Sequence, residues 1–462
     1  MAPNADASQL RNRFGKLDAD EATKDEATVS RVDSVKNISN TEVVIDGVIY
    51  DLADFEHPGG DSVMLFGGND VTVQYKMIHP YHTSKHLEKM RMVGKVNDYK
   101  KDYVFDTPFE REVKREVFKI VRRGREFGTY GYFARAFFYI GTLAVLQYLW
   151  FTLGASWALA IALGMSQASI GLNVQHDGNH GAASKKPWVN DFLGFGADFI
   201  GGDKWTWMEQ HWTHHAFTNH AEQDPDSFSA EPMMAFNDYP LGHPSRRFWH
   251  KLQGLYFLPL LSFYWLSSVL NPQILDLRQR GAYSVGIVME NDFIKSRRKY
   301  AVLLRLIYIY LNILRPLQLD PSATTLLQIL FMGCVESLTL ATLFALSHNF
   351  ENADRDPTKS VRETGEPVCW FKSQVETSST YGGWLSGALT GGLNFQVEHH
   401  LFPRMSSAWY PYIAPAVREV CKKHGVRYAY YPWVFQNFIS TVKYMHQTGT
   451  GSNWMQPLTG KA

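Results

Sequence analysis

Three groups of histidines carry most of the chemistry available to this 462-residue sequence. His176 and His180 form the first group and His211, His214 and His215 the second. His399 and His400 form the third, with Gln396 three residues ahead of His399. Spacing of i, i+3 and i+4 places side chains on one face of a helix, so one turn of the second group offers three imidazole nitrogens to a single centre. One such turn arises on protein surfaces by chance, whereas three groups in one chain argue for a shared transition-metal site. Imidazoles with few carboxylates suit iron, zinc or copper, and ligand softness does not choose among them. Cys334, Cys369 and Cys421 lie far apart with no C-x-x-C pair, which indicates neither a thiolate zinc site nor a disulfide framework.

The elements that must position these groups are apolar. Residues 136–175 contain no charge and have Gly154-Ala155-Ser156 near their middle. About twenty apolar residues span a bilayer, so this stretch predicts two crossings joined by a short turn, with His176 emerging on the side where the stretch began. Residues 188–207 are aromatic and Gly-rich but interrupted, the pattern of an interfacial segment. Three further apolar runs, 254–270, 301–314 and 323–347, separate the second group from the third. If the groups share one centre, an even number of these runs crosses. Lys295, Arg297, Arg298 and Lys299 mark the start of the middle run as cytosolic, so the run containing Pro259 is the one expected not to cross. His348 then arrives at the same mouth and joins the expected ligands. Arg305 is expected to snorkel to the interface, and Glu336 to be paired inside the bundle or to face a substrate tunnel. Residues 380–392 are too short to cross, residues 401–447 read as a cytosolic cap, and His220 lies off the ligand face of its turn.

Ahead of this membrane part, residues 1–40 are polar and lack an apolar signal core, so they read as a disordered tail with no cleaved signal peptide. Val43-Val44-Ile45 and Val48-Ile49-Tyr50 flank Asp46-Gly47, a β-hairpin signature. His57-Pro58-Gly59-Gly60 then predicts a tight turn whose glycines leave room for a flat ligand. Residues 100–127 hold seven basic side chains from Arg111 to Arg125, a stretch that places the preceding domain on the cytosolic side. A net charge of +1, from 46 basic and 45 acidic residues, gives no reason to expect a nucleic-acid partner.

The His57 turn resembles the haem-binding turn of cytochrome b5. The likeness continues through Gly67-Gly68-Asn69-Asp70 and Ile78-His79-Pro80 to Val93-Gly94-Lys95-Val96. It implies a haem b with His57 as one axial ligand and a second histidine some twenty residues on. Spacing from Asp70 favours His79 over His82 and His86, with His82 the open alternative. Two axial imidazoles leave haem iron no free position, so such a module carries electrons and does not bind oxygen. Zinc has no redox chemistry, so a fused electron carrier selects iron for the histidine groups.

With its three histidine boxes, the last beginning in Gln, the chain resembles the membrane front-end fatty acyl desaturases that carry an N-terminal cytochrome b5 domain. The resemblance implies a small α+β cytochrome b5-like domain at 41–98, after the 1–40 tail. A basic linker at 99–130 and an all-α integral membrane desaturase domain at 131–462 would follow, the latter with about four transmembrane helices and a cytosolic histidine-rich cap. It implies two non-haem irons held by His176, His180, His211, His214, His215, His399 and His400, with His348 and Gln396 as further ligands, and O2 as co-substrate. It also implies an NADH-cytochrome b5 reductase as electron source and a multi-pass endoplasmic reticulum location, with the N-terminus and the active site facing the cytosol. Residues 66–75 and 407–412 are most similar to the Δ5 branch, which acts on twenty-carbon polyunsaturated acyl chains carried on phospholipid or coenzyme A. A Δ6 or Δ8 acyl desaturase, a sphingoid-base desaturase and a b5-fused hydroxylase are the enzymatic alternatives, and a non-catalytic haem-binding carrier is the rival from another class.

Overall fold

In the computed structural model, which describes residues 30–32, 38–81, 84–220, 222–239, 241–270 and 292–451, the N-terminal domain is built on a four-stranded sheet. Its strands are β1 (Ser30–Val32), β2 (Glu42–Ile45), β3 (Val48–Asp51) and β4 (Arg91–Val96), in the order β1-β4-β3-β2. The β2–β3 hairpin is the one expected: Asp46 and Gly47 have φ of 50° and 79°, as a two-residue turn matching the strand twist requires. β1 corrects the expected 1–40 tail, because Ser30, Arg31 and Val32 pair in parallel with Gly94, Lys95 and Val96. Three residues with one apolar side chain carry no strand pattern, and only the free edge of β4 makes them a strand. Helix α1 (Thr72–Ile78) follows the Gly67-Gly68 turn. The domain core does not close on itself: Val43, Leu65, Phe66 and Val71 pack in one cluster with Trp205, Met208 and Ile294 of the membrane part.

Helix α2 (Pro108–Ile120) occupies the stretch expected to be a basic linker. Thr107 caps it, its Oγ1 accepting from Glu110 N at 3.3 Å. Its basic residues mask an apolar stripe at helical spacing. Phe109, Val113 and Val117 are buried in the largest core cluster beside Trp370, Val417 and Cys421. The helix is therefore a wall of the cytosolic part, pinned by Glu112 to Lys423 (2.6 Å) and His424 (2.7 Å).

Among the described residues four helices are long and apolar enough to cross a membrane, and two of them come next: α3 (Tyr130–Leu153) and α4 (Trp157–Asn179). They meet at the expected turn, where Gly154 ends α3 with φ of 86°. A π-helical turn, Gly171–Gln175, interrupts α4 immediately before His176. Such bulges reset which face a helix presents and cluster at functional sites. The interfacial segment that follows forms short helices and leads into α5 (Lys204–Ala216), which carries the second histidine group. The run with Pro259 is not among the four long helices; it breaks into α6 (Gln253–Leu261) and α7 (Tyr264–Val269), as expected for a run that does not cross.

Helices α8 (Asp292–Leu319) and α9 (Ala323–His348) complete the four. α4 and α9 approach closely: a Cβ at Gly164 would stand 2.5 Å from the Met332 carbonyl oxygen. Arg305 in α8 does not snorkel. The residue is 7 % exposed and its two terminal nitrogens donate to the carbonyls of Gly201, Gly202 and Ser268, so the protein itself holds the charge while Nε stays without a partner. Glu336 in α9 is 3 % exposed, buried inside the bundle as both expectations require, with Oε2 unpartnered and outside the lining of the cavity described below. Three further helices form the cap: α10 (Gln396–Leu401), α11 (Tyr410–His424) and α12 (Val434–Thr450).

Candidate metal centre

The end of α4 supplies His176 and His180, α5 supplies His211, His214 and His215, the last residue of α9 is His348, and α10 supplies His399 and His400. All are buried. They form two groups whose ligand atoms lie within 4.8 Å of one another: His176, His180, His211 and His399, and separately His214, His348 and His400. His215 stands between them, its Nε2 3.1 Å from that of His211 and its ring centre 4.1 Å from that of His400. Every histidine expected at the centre is therefore there. Gln396 is 2 % exposed with Oε1 buried and unpartnered. His220 is elsewhere, with Nε2 3.7 Å from the Asp102 carboxylate.

Acceptors on the far side of four rings decide which nitrogen is free. His214 Nδ1 donates to Asp224 Oδ1 (2.9 Å), His348 Nδ1 to the Thr377 carbonyl (3.1 Å) and His400 Nδ1 to Gln374 Oε1 (2.9 Å). His399 Nδ1 donates to the Tyr410 hydroxyl (3.0 Å), whose own proton goes to the Met405 carbonyl (2.8 Å). With the proton held on Nδ1, the lone pair sits on Nε2. The Nε2 atoms of His214 and His348 face each other at 3.3 Å, and those of His180, His399 and His400 are buried without a partner. Buried imidazole nitrogens with no hydrogen-bond partner mark a place for a cation, and two nitrogens about 2 Å from one metal stand about 3 Å apart. The residues fit a metal ion on this test.

Electrostatics agree with that reading. Burial, and then the neighbouring imidazoles, hold His180, His211, His215, His399 and His400 well below the usual histidine range, so these rings stay neutral. His214 differs. Burial pulls it down, but the Asp224 and Asp226 carboxylates outweigh burial and raise it to about 9. Asp224, Gln374, Thr377 and Tyr410 are functional residues that sequence reasoning missed. Asp224 left a trace in the Asp224-Pro225-Asp226 run just past the second group, while Gln374 and Thr377, from one short helix (Trp370–Glu376) and its C-cap, and Tyr410 on α11 have no spacing signal that ties them to a histidine.

A cavity of about 960 Å³ adjoins the centre. His211, His214, His348 and Gln396 lie on one wall, and Leu260, Leu261 and Phe344 are among its apolar lining. In the N-terminal domain, the His57 and His79 rings face each other at 5.9 Å and 90°. His79 Nδ1 donates to the Tyr75 carbonyl (2.8 Å), which orients the ring, and a Cβ on Gly59 would stand 2.7 Å from the His57 ring. Burial and the nearby Arg404 cation hold His57 below the usual histidine range, in the neutral form that ligation needs. The ring pair and the room left by Gly59 fit a bis-histidine haem, which His57 would bind through the nitrogen opposite Nδ1 on giving up the bond that Nδ1 accepts from Gly59 N–H (3.1 Å); His82 lies outside the described residues. The domain docks on the centre directly, with Trp212 stacked between Phe66 (6.4 Å) and His180 (6.3 Å).

Comparison with known proteins assigns both parts. The family model for fatty acid desaturases matches residues 152–432, more than half of the chain. The chain belongs to the fatty acid desaturase family. The model for cytochrome b5-like haem/steroid binding domains matches residues 27–97, a start consistent with β1. An acyl-lipid (7-3)-desaturase of Diacronema lutheri is 32 % identical over 412 residues, covering 88 % of this chain and 90 % of that protein. A probable Delta(5) fatty acid desaturase C of Dictyostelium discoideum is 28 % identical, covering 90 % and 93 %. An acyl-lipid (8-3)-desaturase of Mortierella alpina is 27 % identical, covering 88 % and 93 %. The desaturase is thus a front-end, b5-fused membrane enzyme whose domains imply haem and iron.

Proposed function

We propose that the desaturase introduces a cis Δ5 double bond into lipid-linked twenty-carbon polyunsaturated acyl chains, using O2 and electrons from its own haem domain. The observation that carries this reading is the pair of histidine groups whose ligand nitrogens converge beside a cavity with Leu260, Leu261 and Phe344 in its lining. His176, His180, His211 and His399 would hold one iron, and His214, His348 and His400 the other, with His215 between them and Gln396 presenting its amide oxygen to the cavity. His57 and His79 would hold the haem. Lipid linkage follows the relatives named acyl-lipid desaturases, and the Δ5 position follows those named Delta(5).

The bound iron supplies the activation of O2 needed to remove hydrogen from an unactivated methylene. In the net reaction two hydrogens leave adjacent carbons, and O2 takes up these together with two electrons and two protons to give two waters. The chain's own residues do the rest. Asp224, Thr377, Gln374 and Tyr410 fix the ligand tautomers, and Leu260, Leu261 and Phe344 exclude water from the acyl chain. Because adjacent methylenes are chemically alike, their placement alone selects one. A separate NADH-dependent reductase recharges the haem, and the enzyme resides in the endoplasmic reticulum membrane with its centre facing the cytosol.

A second reading, with the bond at another carbon, is favoured by the 31–32 % identity to relatives named (7-3)-desaturases. Expression in a host fed defined polyunsaturated acids, with double-bond positions read by mass spectrometry, decides between them. A new Δ5 bond in a twenty-carbon acid is the expected product, and no new Δ5 bond in any such acid refutes the first reading.

A further inference from the structure

The cavity beside the histidines has a polar end. Thr206, Trp207, Gln210, His211 and His214 all line it, at i, i+1, i+4, i+5 and i+8, so one stripe of α5 runs its length. Followed away from the histidines, the stripe reaches the N-terminus of α5. There, three buried polar atoms have no partner: Asp203 Oδ2, Thr206 Oγ1 and Arg305 Nε. The remainder of the two charged groups is engaged from behind. Asp203 Oδ1 accepts from Thr206 N at 2.7 Å, and Arg305 donates to the carbonyls of Ser268 and Gly202, both at 2.7 Å. All three residues line the cavity, and Asp203 and Arg305 are 6 % and 7 % exposed.

A buried polar atom without a partner costs about 1–3 kcal/mol. Three together at the N-terminus of α5 therefore mark a place completed by something the protein does not supply. Burial also holds the Asp203 carboxyl above its usual range, so the recess carries less negative charge than its residue types suggest.

We propose that this recess is a subsite for the carboxyl end of the acyl substrate, an ester or thioester carbonyl, and that anchoring it there sets where the double bond falls. The inference rests on the front-end reading given above. Thr206 Oγ and Arg305 Nε donate to the carbonyl oxygen, and Asp203 Oδ2 takes a hydroxyl or amide N–H of the carrier. Thr206 and His211 are five residues apart on α5, ~7.5 Å along the axis at the helical rise per residue. That is the length of a handful of carbon–carbon bonds. A carbonyl held at Thr206 therefore brings a carbon near the carboxyl end, and not one near the methyl end, to the histidine nitrogens.

The test uses the full chain in membranes, as wild type and as Thr206→Val and Thr206→Ser. Each is supplied with polyunsaturated chains of several lengths, as phospholipid esters and as coenzyme A thioesters. kcat/KM and bond position are measured, with the haem spectrum and iron content reporting an intact fold. Wild type is expected to place the bond at a constant count from the carboxyl carbon at every chain length. Thr206→Val should lower kcat/KM about ten-fold, the worth of one hydrogen bond, and send part of the product to the adjacent position. Thr206→Ser should restore both, and the arm showing these effects identifies the carrier. If Thr206→Val loses haem or iron, Asp203→Asn, which keeps the capping oxygen, takes its place with the same expectation. Unchanged kcat/KM and a single bond position in both arms would mean that the recess holds only water and would overturn the subsite. A wild-type bond that follows the methyl end would overturn the front-end reading itself, a failure visible without any variant.

Discussion

Replacing Asp224 with Asn should disable one histidine group and spare the other. Asp224 is 1 % exposed, and its oxygens accept three hydrogen bonds: His214 Nδ1–H and Asp226 N–H, each at 2.9 Å, on Oδ1, and Asn219 N–H at 2.7 Å on Oδ2. An asparagine has one oxygen and one NH2, so in either orientation a buried donor faces a donor. If the NH2 faces Asn219, a backbone bond is lost. If it faces His214, the ring escapes by moving its proton to Nε2, the nitrogen that a metal needs. A hydrogen bond to a charged group is worth about 1.5–3 kcal/mol, so metal affinity at that group should fall roughly ten-fold to a hundred-fold. Asp224 touches none of His176, His180, His211 or His399, whose group should keep its metal. The assay is non-haem iron per chain after equilibration with a graded chelator, with the haem band as the internal count of intact protein. Wild type should hold two irons and Asp224→Asn one at the same chelator concentration, with haem unchanged. A variant that keeps both, or that loses both together, refutes the reasoning.

Three further outcomes are expected. Gly59→Ala places a Cβ 2.7 Å from the His57 ring, so the haem band should be lost or shifted while non-haem iron stays; an unchanged spectrum counts against His57. Gly333→Ala puts a Cβ 2.3 Å from the Trp265 ring and should destabilise by about 1–3 kcal/mol through overpacking. Gly141→Ala, with nothing within 4 Å, should stabilise by up to about 1 kcal/mol through helix propensity, and the two thermal midpoints should move in opposite directions. In metal-stripped protein, His214, raised to about 9, adds stability that is full below the ordinary histidine pKa and lost as pH rises through about 9. His180, His211, His215, His399 and His400, all lowered, add stability that is full above the ordinary value and lost as pH falls. Five outweigh one, so the thermal midpoint should drop from about pH 7 to about pH 5. The metal-loaded protein should resist that drop, because bound ligands cannot protonate, and equal profiles with and without metal would contradict the assignment.

The box histidines were legible because their spacing is local: i, i+3 and i+4 states a common helical face before any fold is known. The same holds for the Asp46-Gly47 hairpin and the turn at Gly154, where a few adjacent residues decide the backbone. The apolar runs told which stretches can cross a bilayer, and requiring the boxes to share one centre singled out the run with Pro259 and brought in His348.

What the tertiary structure alone decided is how that centre is held and what adjoins it. Asp224, Gln374, Thr377 and Tyr410 reach their histidines across the fold, and no periodicity connects residues whose contact is made by packing. Helix α2 looked like a charged linker because its basic residues outnumber a narrow apolar stripe, and only the facing wall of Trp370 and Val417 gives that stripe a partner. His79 stands beside His57 because Tyr75 holds its ring from behind. Arg305 was expected to reach for the interface; the carbonyls of Gly201, Gly202 and Ser268 instead hold it where it stands and leave Nε without a partner. Local spacing names the donors, while the nitrogen each one offers and the end of the substrate that meets it depend on long-range contacts.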